Sequence, residues 1–276
     1  GVVLTIDADH LDYFKNIENI RRSFHKFAEN IAEGGALVIN ADIPNYKEII
    51  SGLKPRIITY GSRSLAPDVR AEAIKVLSDG AYSFDVYYHD SLECRVSLKI
   101  PGRHNVDNAL AAFAAAKVFG IDNKYIAEGL ERYTGTDRRF QYKGKFGGVT
   151  VIDDYAHHPT EVKATLAAAK NIEKNKLWCV FQPHTYSRTY NLLDDFAKAF
   201  DDADKIIIAD IYAAREKDTG LINSSVLAER IRQRGKDAIY IGDFPAIKEY
   251  LRQNCSDGDL LITMGAGDVY LIGEDL

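Results

Sequence analysis

The 276-residue sequence is poor in sulphur, with three cysteines and one methionine. The cysteines stand far apart, are odd in number and form no CxxC pair, which argues against a disulphide framework and is typical of reduced thiols in a cytoplasmic protein. No uncharged stretch approaches the ~18 residues that a membrane helix requires. Lysine and arginine total 35 against 40 acidic residues, so the chain lacks the basic excess expected of a nucleic-acid-binding protein.

What remains is the composition of a globular protein. Hydrophobic residues make up 46% and charged residues 27% of the chain, and the length predicts about two domains. The chain opens with Gly1 directly before an apolar strand pattern over 2–6, and its single methionine is Met264. We therefore expect it to be a fragment whose N-terminal part has been removed.

The first half of the chain begins with alternating helices and strands and then changes its pattern. Helical spacing of apolar residues predicts an amphipathic helix over 16–33, and a buried strand is predicted over 36–40. Strict alternation over 92–100 predicts a half-buried strand, and with strands over 67–77 and 81–88 it indicates a small antiparallel sheet. The other elements predicted here are a helix near 45–52, a strand over 56–60 and an alanine-rich helix over 105–119.

From Val149 onward strands and helices alternate regularly, which is typical of a doubly wound parallel α/β sheet. The predicted strands are 149–153, 177–182, 205–210, 238–241 and 259–263. The predicted helices are 159–173, 190–200, 224–234 and 244–253. Glycines cluster at positions 135, 144, 147 and 148, and we place a domain boundary near 135–147.

Two polar sequences follow strands of the second half, at the carboxyl ends where ligands bind in open α/β sheets. The segment 151–159 holds two aspartates and two histidines, more polar groups than a helix cap needs. The segment 181–189 carries His184 and Arg188, and a guanidinium suits a carboxylate or a phosphate because it donates two parallel hydrogen bonds. These segments are the strongest candidates for a site.

Signals for phosphate binding are weaker. The turn at 263–268 contains a lone GxG, which suits either a phosphate or a tight strand-to-helix turn. The charged run at 210–218 is as typical of a wet surface as of a site. No GxxxxGK[ST] occurs in the sequence, so the chain as given contains no P-loop.

The first half offers two further candidates. The segment 6–12 places three aspartates beside His10, a pattern that resembles metal ligation by oxygen and imidazole, although a lone loop histidine is more often structural. Asn105 and Asn108 lie three residues apart at the start of a predicted helix and therefore share one face. Their amides could cap the helix or bind the edge of a nucleotide base.

Seven motifs occur in the order found in one family, the Mur ligases: DADHLD, PGRHNVDNALAA, RRFQ, VIDDYAHHPTEV, FQPHTYSRT, DIYAAREKD and GAGD. The chain resembles this family from residue 2 to about 269. The resemblance implies that 1–137 is the later part of a central ATPase domain, a mixed sheet with helices, and that 138–276 is a Rossmann-like, doubly wound C-terminal domain. It also implies that a UDP-substrate domain and the P-loop are missing.

The activity implied by the resemblance is ATP-dependent amide formation between UDP-N-acetylmuramate and L-alanine through an acyl phosphate, in peptidoglycan precursor synthesis. ATP and Mg²⁺ are the implied cofactors, with no nucleic-acid or membrane partner. A ligase of the same family that attaches a recycled peptide remains an alternative. A metal-dependent hydrolase and a non-enzymatic binding module are alternatives from other classes. Without a P-loop, we expect the chain alone to bind ATP poorly and to be inactive.

The resemblance assigns cofactor roles to five residues. His10 matches a histidine that ligates Mg²⁺, and Asn105 and Asn108 match asparagines that contact adenine. Arg139 matches an arginine that reaches the ATP phosphates, and Asp154 matches an aspartate near the ribose.

Three further residues match groups near the acceptor carboxylate and the incoming amino acid: His157, His184 and Arg188. A neutral imidazole such as His157 could remove the proton from the attacking amine. The sequence departs from the family pattern at Thr185, where some members carry an arginine, and at Arg215, where part of the family has a glycine.

Overall fold

The computed structural model describes residues 1–64, 66–218 and 220–276, with the side chain of Asp12, one of the three aspartates beside His10, outside the description. The chain divides into two compact units. The first comprises Gly1–Leu77 with Ala81–Tyr133, and the second comprises Ser78–Gly80 with Thr134–Leu276.

Six strands form one sheet in the described part of the first unit, in the order β1-β2-β3-β4-β5-β6. They are β1 (Val2–Val3), β2 (Ala36–Asn40), β3 (Arg56–Gly61), β4 (Val69–Val76), β5 (Ala81–Tyr88) and β6 (Ser91–Pro101). Strands β1 to β4 pair in parallel, and β4 to β6 are antiparallel. The predicted small antiparallel sheet is confirmed in its three strands and in their antiparallel pairing. It continues the parallel sheet through two residue pairs, Tyr60 with Val69 and Gly61 with Arg70, a join too short to leave a pattern in the sequence.

The helices described in this unit are α1 (Leu11–Phe14), α2 (Ile17–Glu29), α3 (Tyr46–Ile50), α4 (His104–Val118) and α5 (Asn123–Arg132). The side chain of Asn16 accepts a hydrogen bond from the Asn19 amide and so begins α2. Helix α4 buries Leu110 and Phe113 in the core of the unit. The predicted helices at 16–33, 45–52 and 105–119 are confirmed with shorter or shifted ends, and α5 was not predicted.

The strands described in the second unit form a second six-stranded sheet, ordered β11-β10-β9-β12-β8-β7. They are β7 (Gln141–Phe146), β8 (Val149–Asp154), β9 (Leu177–Phe181), β10 (Lys205–Ile208), β11 (Ala238–Tyr240) and β12 (Leu260–Met264). All pair in parallel except β7, which is antiparallel to β8 at the sheet edge. The five predicted parallel strands are confirmed. Strand β7 was not predicted because its sequence, QYKGKF, is mostly polar and has little alternation.

Helices connect these strands: α6 (Pro159–Lys170), α7 (Tyr186–Asn191), α8 (Leu193–Ala199), α9 (Ser224–Arg232), α10 (Phe244–Asn254) and α11 (Tyr270–Glu274). The helix predicted over 190–200 is wrong in its start and its continuity, because the chain bends at Leu192 between α7 and α8. Every residue of β9 is buried, as expected of a central strand with helices on both faces. No helix within the described ranges is long and apolar enough to cross a bilayer.

Candidate active site at the carboxyl edge of the second sheet

Strand β12 brings the candidate segments together. It pairs in parallel with β8 on one side and β9 on the other, so that Met264 lies opposite both Asp154 and Phe181. The polar segments 151–159, 181–189 and 263–268 therefore leave the sheet side by side.

Two of the predicted site histidines lie next to each other at this edge. The ring centroids of His157 and His184 are 5.6 Å apart, with the ring planes at 62°. The Nη1 atom of Arg188 lies 3.1 Å from Nδ1 of His184. His157, from the loop after β8, thus forms one cluster with His184, from the loop after β9, and with Arg188 of α7. Asp154 is the last residue of β8 and lies three residues before His157.

The contacts of each imidazole determine which nitrogen carries the proton. Nδ1 of His157 lies 3.0 Å from the Tyr155 carbonyl oxygen and 3.4 Å from the Glu161 carboxylate. Both groups only accept, so Nδ1 donates and Nε2 of a neutral His157 holds a lone pair. Nδ1 of His184 faces the guanidinium of Arg188, which only donates, so Nδ1 accepts and Nε2 carries the hydrogen. The cluster therefore combines an acceptor on His157 with a donor on His184.

Glu161 holds the loop that carries His157. Its Oε2 accepts from the backbone amides of His157 at 3.0 Å and His158 at 3.2 Å. His158 in turn caps α6 by accepting from the Thr160 amide at 3.4 Å. This is a capping box, with Pro159 in the first turn. The interpretation of this segment as a helix cap thus holds for His158, whereas His157 faces the cluster. The glutamate three residues after His158 is a sequence signal for this box.

Asp154 is buried and connects two backbone segments. Its Oδ1 accepts from the Ala156 amide and its Oδ2 from the Phe140 amide, both at 2.8 Å. Burial raises the pKa of the Asp154 carboxyl, and the two backbone hydrogen bonds and the positive charge of Arg139 oppose this only in part. The carboxyl group holds the loop after β8 against the chain just before β7.

The two consecutive arginines before β7 have different surroundings. Arg138 bonds to the fully buried Asp153 through Nε at 3.0 Å, and to the carbonyl oxygens of Gly267 at 3.0 Å and Gly265 at 2.7 Å. Two tyrosine rings flank its guanidinium at 4.9 and 4.6 Å. Arg139 is exposed. Nothing in the sequence indicated these contacts of Arg138, because an RR pair does not tell which arginine faces inward.

The glycine turn after β12 is tightly packed. Gln182 donates to the Asp268 carboxylate at 2.8 Å and accepts from the Val269 amide at 3.2 Å. A Cβ atom on Gly265 would lie 2.8 Å from the Gln182 carbonyl oxygen, and one on Gly267 would lie 2.3 Å from its side-chain oxygen. Both glycines are therefore required by packing, which favours the tight-turn interpretation of this GxG.

The charged run at 210–218 is attached to the loop after β9. The Tyr212 amide donates to the Pro183 carbonyl at 2.8 Å, and the Thr185 amide donates to the Tyr212 carbonyl at 2.9 Å. Glu216 accepts from the Ser187 amide at 2.9 Å and from its hydroxyl. Thr185, between these contacts, has φ +65°, a strained value for a β-branched residue. This run therefore borders the site rather than forming a separate wet surface.

In the first unit, His10 is largely exposed, with a side-chain accessibility of 67%, and its Nε2 lies 3.7 Å from the Asp9 carboxylate. Among the described residues, no three histidine, cysteine, aspartate or glutamate side chains are grouped closely enough to hold a metal. His10 and Asp9 would fit a Mg²⁺ ion that takes its other ligands from phosphate oxygens and water, as Mg²⁺ commonly does.

The two asparagines of α4 share one face, as their spacing predicts. Asn105 donates from Nδ2 to the Pro101 carbonyl at 2.7 Å, and Asn108 donates to Oδ1 of Asn105 at 3.1 Å. Asn105 is thus engaged in holding the start of its own helix, whereas Asn108 is exposed.

A carboxylate that no sequence motif marked lies after β2. Asp42 accepts from the Ser62 and Arg63 amides at 3.2 and 3.3 Å and from the Ser64 hydroxyl at 2.6 Å. Burial raises its pKa, but these hydrogen bonds and the Arg63 cation outweigh burial, so that the pKa lies below the ordinary value. A cavity of about 500 Å³ lies beside it, lined by residues 41–48 together with Arg63 and Ser64.

The second unit has the topology of an open α/β sheet, with donors and acceptors converging at its carboxyl edge, where ligands bind in proteins of this fold class. Two family models match the chain: the "Mur ligase middle domain" over residues 1–116 and the "Mur ligase, glutamate ligase domain" over residues 138–267. The chain belongs to the Mur ligase family, and the resemblance inferred from the seven motifs is confirmed.

Curated relatives include the UDP-N-acetylmuramate–L-alanine ligases of Caldanaerobacter subterraneus subsp. tengcongensis and Acetivibrio thermocellus. They are 50% and 52% identical over 274 residues, 99% of this chain and 59% and 58% of theirs. The chain thus spans somewhat under three fifths of their length.

Two solved structures share its fold. UDP-N-acetylmuramate–alanine ligase from Thermotoga maritima gives a TM-score of 0.78 at 26% identity, covering 99% of this chain and 57% of that one. A murein peptide ligase from Psychrobacter arcticus gives 0.68 at 25% identity, covering 100% and 56%.

Proposed function

We propose that this chain forms the ATPase-domain and C-terminal parts of a UDP-N-acetylmuramate–L-alanine ligase, which makes a peptidoglycan precursor in the cytoplasm. The observation that carries this proposal is the identity of about one half, along 99% of the chain, to curated proteins with that name. The cluster of His157, His184 and Arg188 supports it, because this arrangement suits the handling of a carboxylate and an amine.

The reaction requires positive charge at two points. The muramate carboxylate attacks the γ-phosphoryl group of ATP, and these anions repel each other unless cations neutralise them. We assign Arg139 to the phosphates, since it is exposed while Arg138 is engaged within the unit. Arg188 is assigned to a substrate carboxylate, which its planar guanidinium matches.

The second half-reaction needs a base. The amine of L-alanine attacks the acyl carbon, a C–N bond forms, and the C–O bond to phosphate breaks with its electron pair leaving on phosphate. The nitrogen must lose a proton, and the lone pair on Nε2 of His157 can accept it. The N–H on Nε2 of His184 can donate to a developing negative charge, a contact of the kind that stabilises transition states.

Residues of each unit are assigned to the nucleotide by the motifs they match. We assign the exposed amide of Asn108, supported by Asn105, to adenine, and His10 with Asp9 to Mg²⁺, which neutralises phosphate charge when bound. Asp154 is assigned to the ribose. A carboxylate has about four lone-pair positions, so Asp154 can accept a further hydrogen bond besides those from Ala156, Phe140 and Thr165.

A metal-dependent hydrolase built on these histidines finds less support. Nδ1 of His184 accepts from a guanidinium, so a metal at that nitrogen would displace the hydrogen bond and face a neighbouring cation. The peptide-recycling ligase remains the stronger alternative, because the murein peptide ligase from Psychrobacter arcticus shares the fold along the whole chain.

The test is phosphate release from ATP by the protein expressed from its complete reading frame. With UDP-N-acetylmuramate present, we expect release that requires L-alanine and is not supported by a tripeptide. Release with the tripeptide alone would replace the proposal with the recycling activity, and no ATP-dependent release with either acceptor would overturn both. The 276-residue chain alone is expected to release no phosphate.

A further inference from the structure

Two asparagine amides at the start of α4 form a chain of hydrogen bonds that begins on the backbone of β6. Nδ2 of Asn105 donates to the Pro101 carbonyl at 2.7 Å, and Nδ2 of Asn108 donates to Oδ1 of Asn105 at 3.1 Å. Pro101 is the last residue of β6 and pairs with Ala81 of β5. The chain of bonds therefore runs from the sheet, through the half-buried Asn105, to the exposed Asn108.

The Pro101 carbonyl determines the direction of both amides. A backbone carbonyl oxygen only accepts, so Asn105 turns Nδ2 towards Pro101 and Oδ1 towards Asn108. The Oδ1 atom also only accepts, so Asn108 turns Nδ2 towards Asn105. Turning either amide over would place two acceptors against each other. The outer edge of Asn108 therefore presents Oδ1 and the remaining N–H of Nδ2 in a fixed order.

We propose that Asn105 is a positioning residue, which fixes the direction of the Asn108 amide and thereby selects 6-aminopurine nucleotides over 6-oxopurine nucleotides. An asparagine amide pairs with adenine through two hydrogen bonds, in which the N6 amino group donates to Oδ1 and N7 accepts from Nδ2. A 6-oxopurine presents two acceptors, O6 and N7, on the same edge. Its O6 would face Oδ1 of Asn108, and Asn105 prevents the amide from turning over to relieve this contact.

This role differs from the one that the motif implies for Asn105. The motif gives both asparagines a contact with adenine, whereas Nδ2 and Oδ1 of Asn105 each have a partner within the chain and the exposed amide edge belongs to Asn108. The proposal rests on the proposed function for the assignment of Asn108 to the nucleotide base. It requires nucleotide binding and no ligase activity.

The start of α4 has a second attachment that does not involve these amides. Asp107, between the two asparagines in sequence, accepts a hydrogen bond from the hydroxyl of Ser62, in the loop after β3. The helix is also held by Leu110 and Phe113 in the core of the unit. A substitution at Asn105 therefore leaves the helix attached to the sheet.

Two substitutions of Asn105 separate its two hydrogen bonds. Asn105→Ala removes both and leaves the amide of Asn108 able to turn over. Asn105→Asp loses the donor to Pro101, but a carboxylate only accepts, so it still holds Nδ2 of Asn108 in the original direction. Asn30→Ala is a matched control, because Asn30 is an exposed asparagine that follows α2 in the same unit.

The main measurement is isothermal titration calorimetry of the protein from the complete reading frame with ATP and with inosine triphosphate, each with Mg²⁺. Inosine triphosphate carries O6 in place of the 6-amino group and has the same ribose and phosphates. We expect the wild type to bind ATP at least about tenfold more tightly, with this ratio kept within about twofold in Asn105→Asp and Asn30→Ala. In Asn105→Ala we expect the ratio to fall to about threefold or less.

A residue that only stabilises the start of α4 would change the affinity for both nucleotides equally and leave their ratio unchanged. A wild-type ratio in Asn105→Ala would therefore overturn the proposal, as would equal ratios in Asn105→Ala and Asn105→Asp. A wild type that binds the two nucleotides equally, or binds neither, would also overturn it. Preference for ATP without phosphate release in the presence of L-alanine or a tripeptide would sink the proposed function alone.

Neutron diffraction from crystals of the deuterated protein measures the direction of the amides themselves, since deuterium atoms mark Nδ2. Without nucleotide, we expect deuterium on Asn105 facing the Pro101 carbonyl and deuterium on Asn108 facing Oδ1 of Asn105. In Asn105→Ala we expect the Asn108 amide in two orientations. An Asn108 amide with Oδ1 facing Asn105 in the wild type would contradict the proposal.

Discussion

The carboxyl edges of the two sheets use their charged groups differently. After β2 in the first unit, Asp42 and its hydrogen-bond donors satisfy one another and tie two loops together. After β8 in the second unit, Asp153 and Asp154 do the same, but His157, His184 and Arg188 form a cluster of their own beside them. Buried carboxylates at a strand end thus serve first to hold loops, and the imidazoles and the guanidinium are the groups to which we assign the chemistry.

The largest effect is expected from removing the cationic group at the carboxyl edge of the second sheet. In the protein from the complete reading frame, Arg188→Ala should lower ligase turnover roughly 10²–10³-fold, because a charged contact in the transition state is lost. His157→Ala should also lower turnover strongly. Circular dichroism and the thermal midpoint should stay close to those of the wild type.

Arg230→Ala provides the control for the arginine substitution. Arg230 lies on α9 and pairs with Asp194 at 3.2 Å on the surface, so its removal should leave turnover unchanged. Near-normal turnover in both Arg188→Ala and His157→Ala would refute the roles assigned to them.

Removing a buried carboxylate should act on stability. In Asp153→Ala the guanidinium of Arg138 loses its counter-charge, and we expect the free energy of unfolding of the second unit to fall by about 3 kcal/mol. Urea titration of the chain, followed by fluorescence of the single tryptophan, Trp178 in β9, reports on this unit.

The surface pair of Arg234 with Asp201, at 3.3 Å, supplies the comparison. Arg234→Ala should change the free energy of unfolding by about 0–1 kcal/mol. Equal losses in the free energy of unfolding in Asp153→Ala and Arg234→Ala would mean that the buried pair of Arg138 and Asp153 does not stabilise the second unit.

The two loop-tying aspartates should titrate on opposite sides of the ordinary aspartate pKa, which is about 3.9. The pKa of Asp42 lies below this value and that of Asp154 above it. Asp42 thus contributes stability that is present above the ordinary pKa and is lost as the pH falls through its lowered pKa. For Asp154 the contribution is present at low pH and is lost as the pH rises through its raised pKa.

Carbon-13 spectra of the side-chain carboxyl groups over an acidic pH series measure both values, with Asp42→Asn and Asp154→Asn to assign the signals. Titration of Asp154 below Asp42 would reverse the comparison.

The smallest expected effect concerns backbone strain at the carboxyl edge of the second sheet. Because Thr185 has φ +65°, Thr185→Gly should raise the free energy of unfolding by about 1 kcal/mol, the relief of strain being partly offset by the entropy of glycine. Thr185→Ala keeps a Cβ atom at the same φ and should not stabilise the chain. A Thr185→Gly variant no more stable than Thr185→Ala in urea titration would show that φ is not strained.

Much of the fold could be predicted from sequence because its signals are periodic. The helical spacing of apolar residues predicted α2, and the regular alternation of strands and helices after Val149 predicted the five parallel strands of the second sheet. The elements that were missed or wrong depend on pairing between distant segments, as in the antiparallel edge strand β7 and the two-residue join between β3 and β4. Such contacts have no local pattern.

The site shows the same division. The predicted ends of the strands indicated where His157, His184 and Arg188 lie, because parallel strands end at a common edge of the sheet. The sequence could not show that Arg138 rather than Arg139 faces inward, since positive φ at Arg138 and Phe140 turns the chain there. It also could not show that Tyr212 stacks on His184, because that contact depends on a bridge between two loops.

The most direct test is a crystal structure of the protein from the complete reading frame with UDP-N-acetylmuramate, L-alanine and a non-hydrolysable ATP analogue. We predict that the alanine carboxylate lies within about 3.2 Å of the Arg188 guanidinium, with its nitrogen facing Nε2 of His157. Alanine bound away from the carboxyl edge of the second sheet, touching neither residue, would contradict the account.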